Sequence, residues 1–382
     1  MKRYERIFYF LALALLFLPS MARAESDDLQ LIKDIEVHGF ASSSYNYNFN
    51  EPSNRNNNLR VFDRDHNSFK FDVGELVLKK DAAKPGSIGF RTDLAYGFAI
   101  PKNTKSTPVP NVGGTAVSEP DFDLQQGFVS YNAPIGNGVK LDFGKFITNM
   151  GAEVIEGYDA WNYNYSHSFL FGFAIPFTHT GLKASYTIND QFSVQGMVAN
   201  GWDNQTDTND GKLWHAQLAY TPLSNVALLY NYMGGPEAQT GNAANDKNWR
   251  NLHDFVATIG LTDTLTLVLN VDHGNEEKAS AINTGGNAEW WGFAGIVRHQ
   301  CNKWFAVNLR GEYFDDPQAA RTGIKQELWE ITLTPEVRVN KNLIVRPEYR
   351  HDESNALAFG SKSGNLMEKT QDTIAINALF FF

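Results

Sequence analysis

Acidic and basic side chains recur in this sequence at positions where they could act on a polar or charged solute. Glu153, Glu156 and Asp159 are spaced three residues apart in one long segment. Cationic side chains occupy polar positions of several other segments. If the two sets faced each other across water, they would create a transverse field that orders water and selects solutes by charge and size. The cations are Arg91, Lys183, Arg310, Arg346 and Arg350.

The same charges also have a simpler interpretation, in which they pair with one another and solvate a water-filled interior. Carboxylates are plentiful at comparable polar positions, so the sequence does not predict the sign of a charge selectivity. These further carboxylates are Asp93, Asp142, Glu312, Glu330 and Glu348.

A second candidate site is the stretch "WNYNYSH", in which Trp161, Tyr163 and Tyr165 alternate with amide side chains. Aromatic faces can stack on sugar rings while amides bind sugar hydroxyls, so a sugar-stacking site is one hypothesis. The alternative is that these aromatic residues lie at a membrane interface or form the core of a loop.

Catalytic and metal-binding motifs are not found in the sequence. The sequence contains neither a G-x-S-x-G nor an H-E-x-x-H pattern. Among its nine histidines, His167 and His179 lie close together but have no carboxylate at the spacing of a zinc site. Cys301 is the single cysteine, which excludes a disulfide framework. The formal net charge of −10 excludes a basic nucleic-acid-binding face. We therefore predict no enzyme, no cofactor, no metal and no nucleic-acid partner.

The N-terminal segment has the features of a secretory signal peptide. A positively charged start is followed by the apolar run "IFYFLALALLFLP" and by the small residues Ala22 and Ala24. The sequence predicts a signal peptide over 1–24, cleaved after Ala24, and a single exported domain over 25–382.

The exported chain alternates apolar and polar residues with a period of two. In "SIGFRTDLAYGF", Ile88, Phe90 and Leu94 lie on one face, and Arg91 and Asp93 lie on the other. This period is typical of β-strands, and many of the segments have the length of about ten residues that barrel spans need. The sixteen predicted strands are 35–49, 68–80, 86–99, 122–133, 138–148, 177–188, 191–201, 212–221, 225–233, 249–261, 264–273, 288–299, 303–314, 325–338, 342–352 and 369–382.

The connections between these strands alternate in length. Links after even-numbered strands are short, such as "ND" and "TD", whereas links after odd-numbered strands are long and rich in Asn, Gly, Asp and Pro. Short turns at one end and long loops at the other are typical of a transmembrane, antiparallel, up-and-down β-barrel, with short periplasmic turns and long extracellular loops. The all-β class follows, with about sixteen strands in the bacterial outer membrane.

Two places interrupt the alternation. The apolar face changes at Gly74, where we expect a β-bulge. Pro335 and Pro347 fall within neighbouring strands and almost opposite each other, where we expect a bulge or a gap in the hydrogen-bond ladder.

The central segment resembles the OmpL-like family of β-barrel porins. The resemblance rests on Gly144-Lys145-Phe146, Gly151-Ala152-Glu153, Asn162 to Phe169 and Pro176 to Gly181, with weaker echoes along the exported chain. It implies an outer-membrane barrel that acts as a channel, and it assigns no substrate or catalytic residue. By resemblance to porins we expect the third long loop, 149–176, to fold into the lumen; the alternative is a lid over the mouth.

The chain ends "DTIAINALFFF", which continues the alternation to the last residue. Phe380 and Phe382 share a face with Ile374 and Ile376, so we expect that face to contact lipid and the strand to close the barrel against the first strand. A terminal aromatic residue also resembles the signal recognised by the outer-membrane assembly machinery. Phe381 has no assignment from the sequence.

Two functional hypotheses remain. The first is a porin for passive diffusion of small hydrophilic solutes, whose constriction contains the loop carboxylates and the wall cations. The second is a non-conducting barrel that acts as a scaffold or adhesin through its extracellular loops. The expected partners are outer-membrane lipids, the assembly machinery and small solutes, and the chain size is compatible with a homo-oligomer.

Overall fold

The computed structural model describes residues 34–101, 121–237 and 247–382. The predicted signal peptide and its cleavage site lie outside these residues. The described chain forms a closed antiparallel barrel of sixteen strands, as predicted, in which each strand pairs with its sequence neighbours. No helix in this part of the chain is long and apolar enough to cross a membrane. The barrel strands are β1 (Glu36–Asn48), β2 (Ser68–Lys80), β3 (Ile88–Gly97), β4 (Asp121–Ala133), β5 (Val139–Ile147), β6 (Thr178–Thr187), β7 (Phe192–Ala199), β8 (Leu213–Leu223), β9 (Val226–Pro236), β10 (Trp249–Gly260), β11 (Leu265–Glu276), β12 (Ala288–Gln300), β13 (Phe305–Asp316), β14 (Gln326–Arg338), β15 (Leu343–Ser354) and β18 (Thr370–Phe381).

The first and last strands close the barrel. Phe40 of β1 pairs with Phe381 of β18, and the ladder continues to Asn48 and Thr373. Gly39 and the terminal Phe382 also exchange two backbone hydrogen bonds. Closure removes the free sheet edge, which in a bilayer would leave backbone groups without partners.

The period of two separates a lipid-facing from an inward-facing set of side chains. On β14, Trp329, Ile331 and Leu333 point outward and are 41–45% exposed. Glu330 and Thr332, which alternate with them, are almost fully buried inside the barrel. Each strand therefore presents apolar side chains to lipid and polar side chains to the interior.

The bulge in β2 lies at Asp72 and not at Gly74, which corrects the sequence prediction. Val73 pairs with Ser42 and Phe71 pairs with Ser43, so Asp72 is the extra residue. Gly74 stays in the regular ladder, opposite Ala41. The apolar pattern changes visibly only after the bulge, and this explains the two-residue error.

The predicted ladder gap at the two prolines is confirmed. Pairing between β14 and β15 stops after Leu333 and Tyr349 and resumes at Val337 and Val345 with the same register. Proline has no N–H to donate, so facing prolines cannot complete the ladder. The sequence did not predict the short hairpin of β16 (Phe359–Ser361) and β17 (Gly364–Glu368) within the last long loop.

Candidate functional site

The long connection between β5 and β6, residues 148–177, crosses the barrel interior, and we call it L3. Its ends are joined by a 2.8 Å hydrogen bond from Thr148 N to Phe177 O. Between these ends its backbone reaches strands on the other side of the barrel. Glu348 of β15 accepts bonds from the N–H groups of Tyr165 (2.7 Å) and Ser166 (3.0 Å). Buried N–H groups need partners, and this wall supplies them as inward-facing carboxylates.

A second carboxylate holds the next part of L3. Glu312 of β13 accepts bonds from Phe169 N at 2.5 Å and Leu170 N at 3.1 Å. These N–H groups begin a π-helical turn over Leu170–Ala174. The arrangement resembles anion binding at a helix N-terminus, with the anion supplied by the barrel wall.

Three wall arginines bind L3 from the same side. Arg310 contacts Glu153 Oε1 and Glu330 Oε1, each at 2.7 Å, and Arg346 contacts Glu156 Oε1 at 2.8 Å. Arg350 donates to His167 O at 2.6 Å. All three arginines are 0% exposed. Burial at this level is tolerated because each guanidinium has an acidic or carbonyl partner.

The picture of opposed charge rings separated by water therefore needs correction. Glu153 and Glu156 form direct ion pairs with the wall arginines, since L3 lies against that wall. Asp159 pairs with Arg91 at 2.7 Å. Lys183 pairs with Asp142 of the wall at 3.4 Å and forms no ion pair with the L3 carboxylates in the part of the chain that the structure describes. The role of these residues in a constriction stays a prediction.

The predicted sugar-stacking residues already have partners. Trp161 stacks on Phe381 with ring centroids 4.5 Å apart, which also gives Phe381 its place inside the barrel. The Arg298 guanidinium covers Tyr163 at 4.8 Å. The Tyr165 hydroxyl donates to Ser44 at 2.7 Å, and this residue is 7% exposed. These contacts favour the alternative interpretation, in which the aromatic residues form loop core.

A hydrophobic cluster explains why this aromatic-rich loop is ordered. Phe169, Phe171 and Phe177 of L3 are almost fully buried with Phe146 of β5 and Phe314 of β13. Each buried aromatic side chain removes about 150–250 Å² from water, so the cluster gives L3 a core of its own.

The loop between β1 and β2, residues 49–67, packs onto L3, and we call it L1. The Phe62 ring stacks on His167 at 4.0 Å, and Arg60 bridges Asp63 and Asp352 of β15, at 2.7 Å to the latter. Neither Arg60 nor Phe62 was predicted from the sequence to have a role. The only signal was a charged and aromatic "RVFDRD" inside an Asn-rich loop.

The long-loop end carries two buried carboxylates outside the spanning strands. Asp203 accepts bonds from Phe177 N and Thr178 N, at 2.6 and 2.9 Å, and Glu237 accepts one from Trp202 N at 3.0 Å. Burial raises the pKa of Asp203 to about 6 and that of Glu237 to about 7, although these N–H groups oppose the shift.

A cavity remains on the side of L3 that faces β2 and β4. Asp72, Asp123 and Gln125 line it from the strands, and Ile155 and Glu156 line it from L3. Wall cations near this side keep contact with water: the side chains of Arg91 and Lys183 are 18% and 17% exposed. Among the described residues, no group of three or more His, Cys, Asp and Glu side chains is arranged to hold a metal ion.

Solved structures with this architecture are outer-membrane porins and channels. The anion-selective porin of Comamonas acidovorans superimposes with a TM-score of 0.62 at 12% identity, covering 91% of this chain and 99% of that chain. OmpF of Salmonella typhi, solved in complex with daunomycin, gives 0.58 at 12% identity, and the channel DcaP of Acinetobacter baumannii gives 0.57 at 10%. Both comparisons cover 91% of this chain and 97% of the other. At these identities the likeness shows the fold.

No curated protein matches the chain. A family model does: the one described as "Putative beta-barrel porin-2, OmpL-like" matches residues 34–382, from the first described residue to the last. The chain is therefore an outer-membrane β-barrel that belongs to the OmpL-like family of β-barrel porins.

Proposed function

We propose that this barrel is a channel for passive diffusion of small hydrophilic solutes. One observation carries the proposal: L3 is fixed to β13 and β15 by buried ion pairs, and a cavity remains between L3 and strands β1, β2 and β4. A loop that is held in place narrows a lumen without closing it, which makes a filter by size and charge.

The proposed filter lies on the cavity side of L3. Arg91 and Lys183 are the predicted constriction cations that retain contact with water there, and Asp159 pairs with Arg91. Arg310, Arg346 and Arg350 would act on solutes indirectly, because their buried guanidinium groups position L3. Solute selection then depends on a few half-buried side chains.

Conductance of the purified barrel in planar bilayers tests this function. We expect stepwise single-channel openings, together with swelling of liposomes in small sugars and amino acids and not in large oligosaccharides. A correctly folded barrel that inserts and never conducts would exclude the channel.

The scaffold or adhesin hypothesis also has an observation in its favour. L1 and L3 both pack inside the barrel, and Phe62 and His167 join them. A chain lacking residues 150–175 separates the two hypotheses. If the wild type is silent and this deletion conducts, the loops plug the lumen and the barrel is a scaffold; if the wild type conducts and the deletion raises the current, L3 is a filter.

A homo-oligomer and a C-terminal assembly signal complete the proposal. OmpT of Vibrio cholerae, which shares this fold at 11% identity, was solved in a trimer form. We expect light scattering in detergent to give a multiple of the chain mass.

Phe380 and Phe382 point outward, 44% and 60% exposed, as an assembly signal and lipid contact require. Replacing both with Ser should lower the yield of folded barrel in the outer membrane.

A further inference from the structure

We propose that the cavity between L3 and strands β2 and β4 binds a small organic cation, an ammonium or guanidinium group on a short apolar chain. The proposal deepens the channel function and rests on it only for the route by which the solute arrives. Its evidence is a carboxylate without a cationic partner, a buried imidazole nitrogen without a hydrogen-bond partner, and a partly aromatic lining.

The carboxylate is Asp72, the extra residue of the bulge in β2, whose side chain is buried inside the barrel. Bulges re-aim side chains in this way next to functional sites. Asp72 is 6% exposed, and its hydrogen bonds come from neutral groups: Ser44 Oγ at 2.7 Å, Ser42 Oγ at 3.2 Å and Asn377 Nδ2 at 3.4 Å. Within the described residues no Lys, Arg or His nitrogen lies within ion-pair distance of it.

The other two carboxylates of the cavity differ from Asp72 in this respect. Asp123 pairs with Lys145 at 2.9 Å, and Glu156 pairs with Arg346 at 2.8 Å. Their charges are balanced by the protein. The charge of Asp72 is balanced by no described side chain, and a buried carboxylate in that position favours a cation from solution.

The second feature of the cavity is a buried imidazole, that of His167 of L3, which lines the cavity and is 8% exposed. Its Nε2 lies 3.1 Å from the carbonyl oxygen of Val154, an acceptor, and 3.0 Å from Asn162 Nδ2, a donor, so these contacts fit either neutral tautomer. Nδ1 is buried and has no hydrogen-bond partner. With the hydrogen on Nε2, Nδ1 would accept a hydrogen bond from an ammonium or guanidinium ligand.

The lining suits the apolar part of such a ligand. Phe62 of L1 and Tyr165 of L3 contribute aromatic side chains, and Ile155 and Ile100 contribute aliphatic ones. Aromatic faces attract ammonium and guanidinium groups, and the effect increases when water is excluded. An anion of the same size would meet Asp72 without compensation and is expected not to bind.

Three four-carbon probes that differ in the head group test the site: n-butylammonium, n-butanol and butyrate. Binding to the detergent-folded wild type is measured by calorimetry, and reversible block of the single-channel current is measured in bilayers. We expect n-butylammonium to bind and block, and the other two probes to do neither. In Asp72→Asn we expect the Kd to rise about tenfold, which corresponds to about 1.4 kcal/mol.

Glu336→Gln is the matched control, since it removes an inward-facing carboxylate of β14 that does not line the cavity and pairs with Arg298. Its Kd for n-butylammonium should stay within twofold of wild type. Phe62→Leu, which keeps Asp72, should weaken binding about threefold and decides the matter if Asp72→Asn does not fold. Unchanged affinity in the folded variants, or equal binding of butyrate, overturns the cation site. A barrel that binds n-butylammonium but never conducts would overturn the proposed channel function and leave the cation site standing.

Discussion

The two sides of the barrel interior use the same charged residue types in opposite ways. On the side of β13 and β15, the guanidinium groups of Arg310, Arg346 and Arg350 are 0% exposed and bind L3. On the side of β3 and β6, Arg91 and Lys183 keep 18% and 17% of their side-chain surface in contact with solvent. We call these the dry side and the wet side. L3 contributes to the difference, because its buried ion pairs reach the dry side, whereas it is joined to the wet side through the half-exposed Asp159.

This contrast separates architecture from selectivity. Removing a charge on the dry side leaves its partner buried and unpaired, which is costly. On the wet side the wall partners Asp93 and Asp142 are also buried, but the L3 carboxylate Asp159 is 44% exposed, so removing that charge costs little in stability and acts mainly on the passing solute.

The largest effect is expected from Arg310→Met. The variant leaves Glu153 and Glu330 buried without their guanidinium, and we expect a loss of about 3–5 kcal/mol in the free energy of unfolding. Urea titration of folding into lipid vesicles measures it. Asp159→Asn is the control on the wet side: its side chain is 44% exposed and Arg91 keeps Asp93 as a partner, so the expected loss is below about 1 kcal/mol. Equal losses in the two variants would remove the distinction between the sides.

The sequence predicted the strands well, because apolar and polar residues alternate where a strand has lipid on one face and the polar barrel interior on the other. All sixteen barrel strands lie within three residues of their predicted bounds. The sequence placed the bulge at Gly74, because the change of the apolar face can be seen only after the extra residue, Asp72. The β16–β17 hairpin was missed because it is short and lies within a polar loop.

Pairing of the charges could not be predicted in the same way. The sequence contained Glu153 and Arg310, but which wall L3 approaches depends on contacts 157 residues apart along the chain. The sequence therefore did not predict that Arg310, Arg346 and Arg350 contact L3 directly; their role in a constriction stays a prediction. L1 was invisible for a similar reason, since Arg60 and Phe62 acquire a role only when β15 and L3 are placed beside them.

The next effect in size is expected from Glu348→Ala, also on the dry side. It leaves the N–H groups of Tyr165 and Ser166 without their acceptor, at a cost of about 1–3 kcal/mol for each group. Hydrogen exchange checks this, and these two amides should lose protection while the ladder amides of β13 keep theirs. Full protection at Tyr165 and Ser166 would mean that another group holds L3 in place.

A smaller effect should appear at the long-loop end, where Asp203 and Glu237 are buried. Their pKa values of about 6 and 7 lie above the ordinary value near 4. The stability they contribute is complete below about pH 4 and is lost as pH rises through 6 and 7. We expect a higher thermal midpoint at pH 5 than at pH 8. Glu237→Gln should remove part of this difference, and a pH dependence identical to wild type would contradict the assignment.

The clearest change in selectivity is expected from Arg91→Gln on the wet side. Water can solvate Asp159, whose side chain is 44% exposed, but Asp93 is buried and keeps only the bond from Gln126, so we expect a stability loss of about 1–3 kcal/mol. Loss of a cation on the wet side makes the local potential more negative and favours cations over anions. In a salt gradient the reversal potential should therefore move toward the cation equilibrium potential.

Arg346→Gln tests the comparison from the other side: its guanidinium is buried against Glu156, so a variant that keeps L3 in place should leave the reversal potential unchanged. A shift in Arg346→Gln with none in Arg91→Gln would place the filter on the opposite side of L3.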